Sequence, residues 1–553
     1  MDRDLSSADK DTLLIQTVWK DLKDRATLFS SPLPHVFLRQ EKQLIRLDDD
    51  AEAYKCLGKY GLQITQKHFV LVRSNIAARI LAKYPPRPNQ CYKLGAMLGD
   101  AIYINAGNHR VIRVGADAIT EEQNGHSIIF SDEDLLPWPE FTAGNLAILA
   151  DFQRHRVGLG YTPESPLCRA LTLYLDEQES GMPNAYAQQL YFSRFLFHWP
   201  ANHYSLWPIS LATGPSDSGK SSAFERWLWL LYGPDRDAGA LPAKYRDLIS
   251  SLSNRSLCTY DNIDGGKLDS KERSEYIDAL CGVATGHEAD MAILYRTNAN
   301  ATFRIRTHLA CTAVTTPFAR EDLHRRILHF SIAPPANRMH KDALKESILA
   351  ERETCLLETI ARLQTILRAH LEIGSHTEAA RQFRTVSKMA EYEIYTATCA
   401  KYEGWLPFHS AMWQEHARRY DQTITAESPL ALLLRLWLGK NSRTGERVVT
   451  PEALWEELSG IAADLEIEMT YKSIATFGKN LKRNWPVLKA LGTEFAGRAG
   501  HPAYCFRPPP DVMRTCEDVY RATRAAHTAR LCTWSQNHRA DDEGFDSAQA
   551  VTQ

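Results

Sequence analysis

The chain of 553 residues has no excess of charge of either sign: 65 Lys and Arg stand against 67 Asp and Glu, a formal net charge of −2. That balance excludes polyanion binding by the chain as a whole, so any nucleic-acid surface has to be local. No two of its 11 cysteines stand in C-x-x-C spacing. A zinc ribbon or a disulfide framework is therefore not expected, and the usage fits a reducing cytoplasm. No apolar run approaches the ~18 residues of a membrane span. The opening MDRDLSSADKD has no apolar stretch and does not read as a signal peptide. There is no internal repeat. What remains is a composition of 44% hydrophobic and 24% charged residues, that of ordinary soluble protein. The length exceeds what one core supports, and three or four domains are expected.

Against this plain background one stretch carries chemistry: WPISLATGPSDSGKSSAFERWLWLLYG, 207–233. Gly214, four residues, then Gly219-Lys220-Ser221 is the spacing of a phosphate-binding loop. Pro208 to Ala212 reads as a buried strand, and SAFERWLWLLY as a helix stopped at Gly233-Pro234. Glycines in such a turn let successive N–H groups point at phosphate oxygens, and the helix N-terminus adds its dipole. The candidate nucleotide-binding residues are Gly214, Pro215, Ser216, Asp217, Ser218, Gly219, Lys220, Ser221 and Ser222. Lys220 reaches the β- and γ-phosphates, and the Ser221 hydroxyl ligates magnesium.

A second signal is NRSLCTYDNIDG, a short β-prone run ending in Asp261-Asn262. A carboxylate at the C-terminal end of a strand beside the loop holds the magnesium shell; Asp264 is the alternative. A third is HLACTAVTTPFAREDLHRRIL. Leu309 to Val314 reads as a strand, with Thr312, Thr315 and Thr316 near its end. Arg320, Arg325 and Arg326 follow, just before the apolar ILHFSIA. Arginines there suit a finger that stabilises charge on a transferring phosphoryl group, and a finger supplied to a neighbour requires a ring.

The succession GPSDSGKSS, YRDLISSLSNRSLCTYDNIDG, DALCGVATGHEADMAILY and TTPFAREDLHRRIL resembles a family of ATP-binding proteins of bacterial mobile elements, prophages and plasmids. These look like AAA+ ATPases related to superfamily 3 and primase-associated helicases. The resemblance covers the centre, roughly 160–400. It implies that Gly214, Gly219, Lys220 and Ser221 are the Walker A positions and that Asp261 and Asn262 are Walker B. It makes Arg320 and Arg326 the ends of R-x-D-L-x-x-R, and Thr312 the sensor position where the family usually has Asn. The Asp-Glu pair common in AAA+ enzymes is missing, which leaves Asp261, Asp264 or a residue of another strand as the base. Ala292 also stands where the family usually has Arg.

Towards the C-terminus, 450–508 reads helix, turn, helix, then two short strands joined by AGRAGHP, an order that suits a winged helix. Lys472, Lys479, Lys482 and Arg483 fall mostly on one side of the helix KSIATFGKNLKRNW, a candidate DNA-binding face. In the stretch 286–306, Arg296, Arg304 and Arg306 belong to a candidate channel hairpin that follows a phosphate backbone. The acidic clusters at 48–50 and 132–134, and His109 and His126, read as solvated or structural. SPLCRALTLYLDEQ, AYAQQLYFSRFLFHW, KESILAERETCLLETIARLQTILRAHLE and SPLALLLRLWLG read as helices.

The expected architecture is an α/β P-loop ATPase core, AAA+-like, with an α+β N-terminal domain, a helical region and a C-terminal winged-helix-like domain. The expected segments are 1–160, of no assigned role; 161–339, the ATPase; 340–445, helical; 446–508, winged-helix-like; and 509–553, a mostly flexible tail. The expected function is a cytoplasmic, ring-forming motor, hexameric by resemblance and dependent on ATP and Mg2+. It acts on single-stranded or forked DNA, beside a primase, nuclease or other effector and away from membranes. The rival is an ATP-gated switch or scaffold in an anti-phage or regulatory complex.

Overall fold

The computed structural model describes residues 6–31, 33–84, 91–131, 133–175, 182–263, 270–286, 288–292, 300–314, 321–335, 339–427, 429–442, 446–467, 473–483, 488–489, 491–497, 502–525 and 527–528. Its contacts divide the chain into two compact units, 1–416 and 417–553.

The first unit begins with two small antiparallel sheets. Strands β1 (Ala26–Ser31), β2 (Leu33–Leu38) and β3 (Gln43–Arg46) form one. The helices Ser7–Arg25 and Lys67–Lys83 bury Val18, Leu22, Phe69 and Ile76 in a common core with its Val36 and Ile45. Strands β4 (Gly95–Leu98), β5 (Ala101–Asn105), β6 (Arg110–Gly115) and β7 (Ile119–Gln123) form a four-stranded meander. A hairpin at Gly107-Asn108 joins β5 to β6; Gly107, Asn108 and His109 all have positive φ, which the tight reversal needs. In the first acidic cluster Asp49 caps the helix Asp50–Leu57 by accepting from the Glu52 N–H at 3.0 Å, and Asp50 pairs with Arg73.

The centre is a five-stranded parallel sheet of β8 (Ile209–Thr213), β9 (Gly239–Ala240), β10 (Leu257–Asp261), β13 (His308–Ala313) and β14 (Ile327–Ser331), in the order β14-β8-β13-β10-β9. The period of two sorts each strand between two cores. Leu211, Cys258, Tyr260, Leu309 and Cys311 face the helices Tyr245–Asn254 and Ser270–Thr285. Ala212, Leu257, Ala310, Leu328 and Phe330 face the helices Asn184–Leu196 and Lys220–Tyr232. Strands β11 (Glu288–Ala292) and β12 (Asn300–Arg304) pair antiparallel as a separate ribbon. The long helices Arg352–Ile373 and Ala390–Glu403 complete the larger core, which runs from Leu94 to Trp413.

One helical expectation is corrected. Among the described residues of SPLCRALTLYLDEQ, which end at Leu175, only Pro166–Ala170 is helical. The Gln188 side chain accepts the Leu173 N–H and donates to the Leu171 carbonyl, both at 2.8 Å. Leu175 forms a bridge to Ile332, the residue after β14. A buried amide thus captures the backbone that would have continued the helix.

The second unit holds the helices Pro429–Lys440, Pro451–Asp464 and Ile474–Arg483, and strands β15 (Arg447–Val449), β16 (Thr493–Phe495) and β17 (Tyr504–Phe506) in the antiparallel order β15-β17-β16. Leu434, Trp437, Leu454, Leu458, Phe477, Leu481 and Phe506 form its core. Residues 510–525 are helical.

Candidate nucleotide-binding site

The loop 214–219 leaves the C-terminal end of β8 and opens the helix Lys220–Tyr232. Two glycines are required there for different reasons. Gly214 has φ +152, and a Cβ on it would lie 2.2 Å from the Ile332 carbonyl oxygen; Gly219, with φ +87, has open space around it and is fixed by backbone angle alone. Asp217 also has positive φ. Pro215, Ser216, Asp217 and Gly219 are exposed, and Ser221 and Ser222 are half-buried. The N–H groups of Ser216, Asp217 and Gly219 donate to no described residue. The Ser218 hydroxyl is buried and has no hydrogen-bond partner among the described residues. Unspent N–H groups at a helix N-terminus are the means by which a protein cradles an anion, so the donor set fits a polyphosphate.

Behind the loop the sheet order brings distant residues together. β13 lies between β8 and β10, with Thr312 paired to Ala212 and Cys311 to Tyr260. Asp261 and Thr312 therefore end neighbouring strands next to the loop. The Ser221 hydroxyl donates to Asp261 Oδ1 at 2.7 Å, and the Thr312 hydroxyl donates to the same oxygen. The Asn262 N–H donates to Thr312 Oγ1 at 3.0 Å, and the Ile263 N–H to the Thr312 carbonyl at 2.9 Å. Asn262 sits at φ +49, a conformation Asn tolerates, and turns the chain away from β10. One carboxylate and one hydroxyl, 40 residues apart in sequence, thus meet as a hard-oxygen pair of the kind magnesium prefers. Lys220 is buried, and its ammonium donates to the Pro215 carbonyl at 2.6 Å.

The arginines divide differently. Arg320 and Asp264 lie outside the described residues, as do Thr315 and Thr316. Arg326 precedes β14, and its carbonyl accepts the Ile209 N–H at 2.8 Å. It therefore lies at the N-terminal ends of the strands, five residues at ~3.3 Å each, or about 16 Å, from the loop end of the sheet. Its guanidinium donates to the Asp322 carbonyl at 3.0 Å. Of the candidate DNA-binding residues, Lys479 is exposed on the helix Ile474–Arg483. Lys482, Arg483 and Arg304 lie within their helix and strand, and Lys472 and Arg296 fall outside the described residues.

Sequence reasoning missed the Thr312–Asp261–Asn262 linkage and the hydrogen bond between Thr213 Oγ1 and His329 Nε2, 2.5 Å, just beneath the loop. Both depend on strand order, for which the sequence carries no local signal. It also missed β15, three residues long.

No family model and no curated protein matches the sequence. Among solved structures the chain is similar to one described as SCCmec type IV Cch, active helicase, with a TM-score of 0.42 and 13% identity over 88% of this chain and 94% of that one. It is also similar to the apo C-terminal region of NrS-1, with a TM-score of 0.35 and 11% identity over 89% of this chain and 99% of that one. Drosophila ORC bound to DNA aligns at a TM-score of 0.17 and 12% identity, over 70% of this chain and 95% of that one. At such scores the reading of function rests on this chain's own residues. No helix among the described residues is long and apolar enough to cross a membrane.

Proposed function

We propose that this chain is an ATP-dependent motor that assembles into a ring on DNA, a replicative helicase of a bacterial mobile element. The observation that carries the reading is the meeting of Ser221, Thr312 and Asp261 beside a loop with unspent N–H groups. ATP with Mg2+, when bound, supplies the phosphoryl bond whose hydrolysis drives the motor. With that nucleotide bound, Lys220 would exchange the Pro215 carbonyl for phosphate oxygens and Ser221 and Asp261 would hold the metal, while Thr312 keeps the Asp261 carboxylate turned toward Ser221. Arg326 lies too far from its own loop to serve it, which supports its supply, with Arg320, to a second copy. In the second unit, the order helix, β15, helix, helix, β16, β17 and the strand order β15-β17-β16 support the winged-helix reading, with Lys479 on its exposed side.

ATP hydrolysis by the full chain, with and without single-stranded and forked DNA at low stated salt, tests this. Turnover raised several-fold by DNA, and lowered about a hundredfold or more in Lys220→Ala, is the expected result. Turnover indifferent to DNA sinks the motor. It would favour the second reading, an ATP-gated switch, for which Asn262 in place of a second carboxylate is the supporting observation. Alanine at Lys479 together with Lys482 is expected to weaken DNA binding and to reduce the salt slope by roughly one for each phosphate no longer neutralised.

A further inference from the structure

The second acidic cluster of the sequence holds a carboxylate with a specific task. Glu133 lies at the foot of the central sheet, the end opposite the loop. Its Oε1 accepts the Ser256 N–H at 2.9 Å, and its Oε2 accepts the Ser256 hydroxyl at 2.5 Å and the Tyr232 hydroxyl at 2.9 Å. The Tyr232 and Ser256 oxygens are themselves 2.8 Å apart. Tyr232 ends the helix Lys220–Tyr232, and Ser256 stands immediately before β10. One carboxylate therefore joins the end of the helix that begins with Lys220 and Ser221 to the start of the strand that ends in Asp261. Glu133 is itself held in place. The Leu136 N–H donates to the Leu231 carbonyl in the last turn of that helix, at 3.0 Å. Arg352 donates to the Leu136, Pro137 and Leu230 carbonyls at 2.7, 3.0 and 2.8 Å. The turn before Ser256 is gripped from the N-terminal sheets as well. Lys93, ahead of β4, donates to the Ser253 carbonyl, and Arg46 of β3 donates to Asn254 Oδ1, both at 2.6 Å. Cations suit that place, because it is the C-terminal end of the helix Tyr245–Asn254.

At their other ends the same helix and strand meet through the Ser221 hydroxyl on Asp261. Between the two ends β13 separates β8, which feeds the helix, from β10. The helix has 13 residues and is about 20 Å long. A swing of ~3° about its far end moves Ser221 by about 1 Å, a misplacement of the size that costs a reactive geometry about a hundredfold. We infer that Glu133 is a positioning residue of the nucleotide site: by fixing the far ends of the two elements, it sets how Ser221 meets Asp261. This role rests on the nucleotide reading above. It also gives the segments before the loop, which carry no motif, a part in that site, since they hold the foot of the strand that bears Asp261.

Binding of a fluorescent non-hydrolysable ATP analogue to the full chain, with magnesium titrated in, tests this, and urea unfolding shows which variants are folded under the assay conditions. Magnesium is expected to tighten binding to the wild type. In Glu133→Ala, metal-free binding is expected to stay within about threefold of the wild type, because the loop is far from the change. The magnesium needed for half of the enhancement is expected to rise about tenfold, because a charge-assisted tie between the two elements is lost. Glu133→Gln is expected to recover most of the loss: its amide oxygen accepts the Ser256 N–H, and the two hydroxyls turn to accept from its NH2. Tyr232→Phe removes one hydroxyl and leaves Glu133 on Ser256, so it serves where Glu133→Ala does not fold. It is expected to raise the magnesium requirement alone and to add nothing to Glu133→Ala, because both break the same tie. A magnesium requirement unchanged in the folded variants, a loss of metal-free binding equal to that in Lys220→Ala, or no recovery in Glu133→Gln each overturns the inference. A wild-type chain that binds no analogue, or binds it indifferently to magnesium, overturns the nucleotide reading itself, and this inference with it.

Discussion

Gly214 shows how narrowly the loop is specified. Its φ of +152 and the 2.2 Å that would separate a Cβ from the Ile332 carbonyl oxygen leave no room for any side chain. Gly214→Ala is expected to cost ~1–3 kcal/mol of stability through the forced shift, and to lower nucleotide affinity at least about tenfold. Urea unfolding and analogue titration check the two. Gly219→Ala meets no atom, so its cost is confined to backbone strain of ~1–3 kcal/mol. At the head of the sheet, Asp261→Asn keeps the shape and removes the charge. It is expected to leave metal-free analogue binding within about threefold and to abolish its enhancement by magnesium, because a neutral amide is a poor ligand for a hard cation.

The helix Ile474–Arg483 is defined by two buried positions four apart, Phe477 and Leu481, with Lys479 exposed between them. Phe477 packs its ring 5.2 Å from Trp455 on the preceding helix. Phe477→Ala is expected to destabilise the second unit by ~3–5 kcal/mol. The Thr450 side chain accepts the Ala453 N–H at the start of the helix Pro451–Asp464, and Thr450→Ala is expected to cost about 1 kcal/mol. Thermal unfolding checks both. These elements are legible in the sequence because their apolar periodicity and caps are local. The strand β15 is not, because the three residues of Arg447–Val449 acquire strand geometry only by pairing with β17, more than 50 positions on. The helix expected through Leu175 does not form for the same kind of reason: its competitor, Gln188, lies on another element.

The first unit as a whole carries a pH dependence. Burial pushes His370 and His409 down to about 4, and His198 and His308 well below the usual histidine range. Folded, these imidazoles stay neutral; unfolded, they take a proton below about 6.5. The unfolded state then binds more protons, so stability falls as pH falls from about 6.5 towards 4. Each of His370 and His409 contributes at most about 3 kcal/mol over that window. Burial raises the carboxyls of Glu393 and Glu403, which contribute with the opposite sign as they take up protons. His409 Nε2 bonds Thr396 Oγ1 at 2.8 Å, a hydrogen bond that glutamine can keep. His409→Gln is therefore expected to flatten the slope of stability against pH by about one proton between roughly 6.5 and 4, read from urea midpoints across that range.

By itself the sequence determined the loop and its flanking strand and helix, the carboxylate-bearing strand and most helices. Each depends on spacing, backbone permission or apolar period within a dozen residues, and so is written locally. Tertiary structure alone decided that β13 comes between β8 and β10, that Ser221, Thr312 and Asp261 share one oxygen, and that Arg326 lies at the end of the sheet away from its own loop. Those juxtapositions close chain segments of tens to more than a hundred residues. They are selected by which apolar faces pack together in the two cores on either side of the sheet, which no local pattern records.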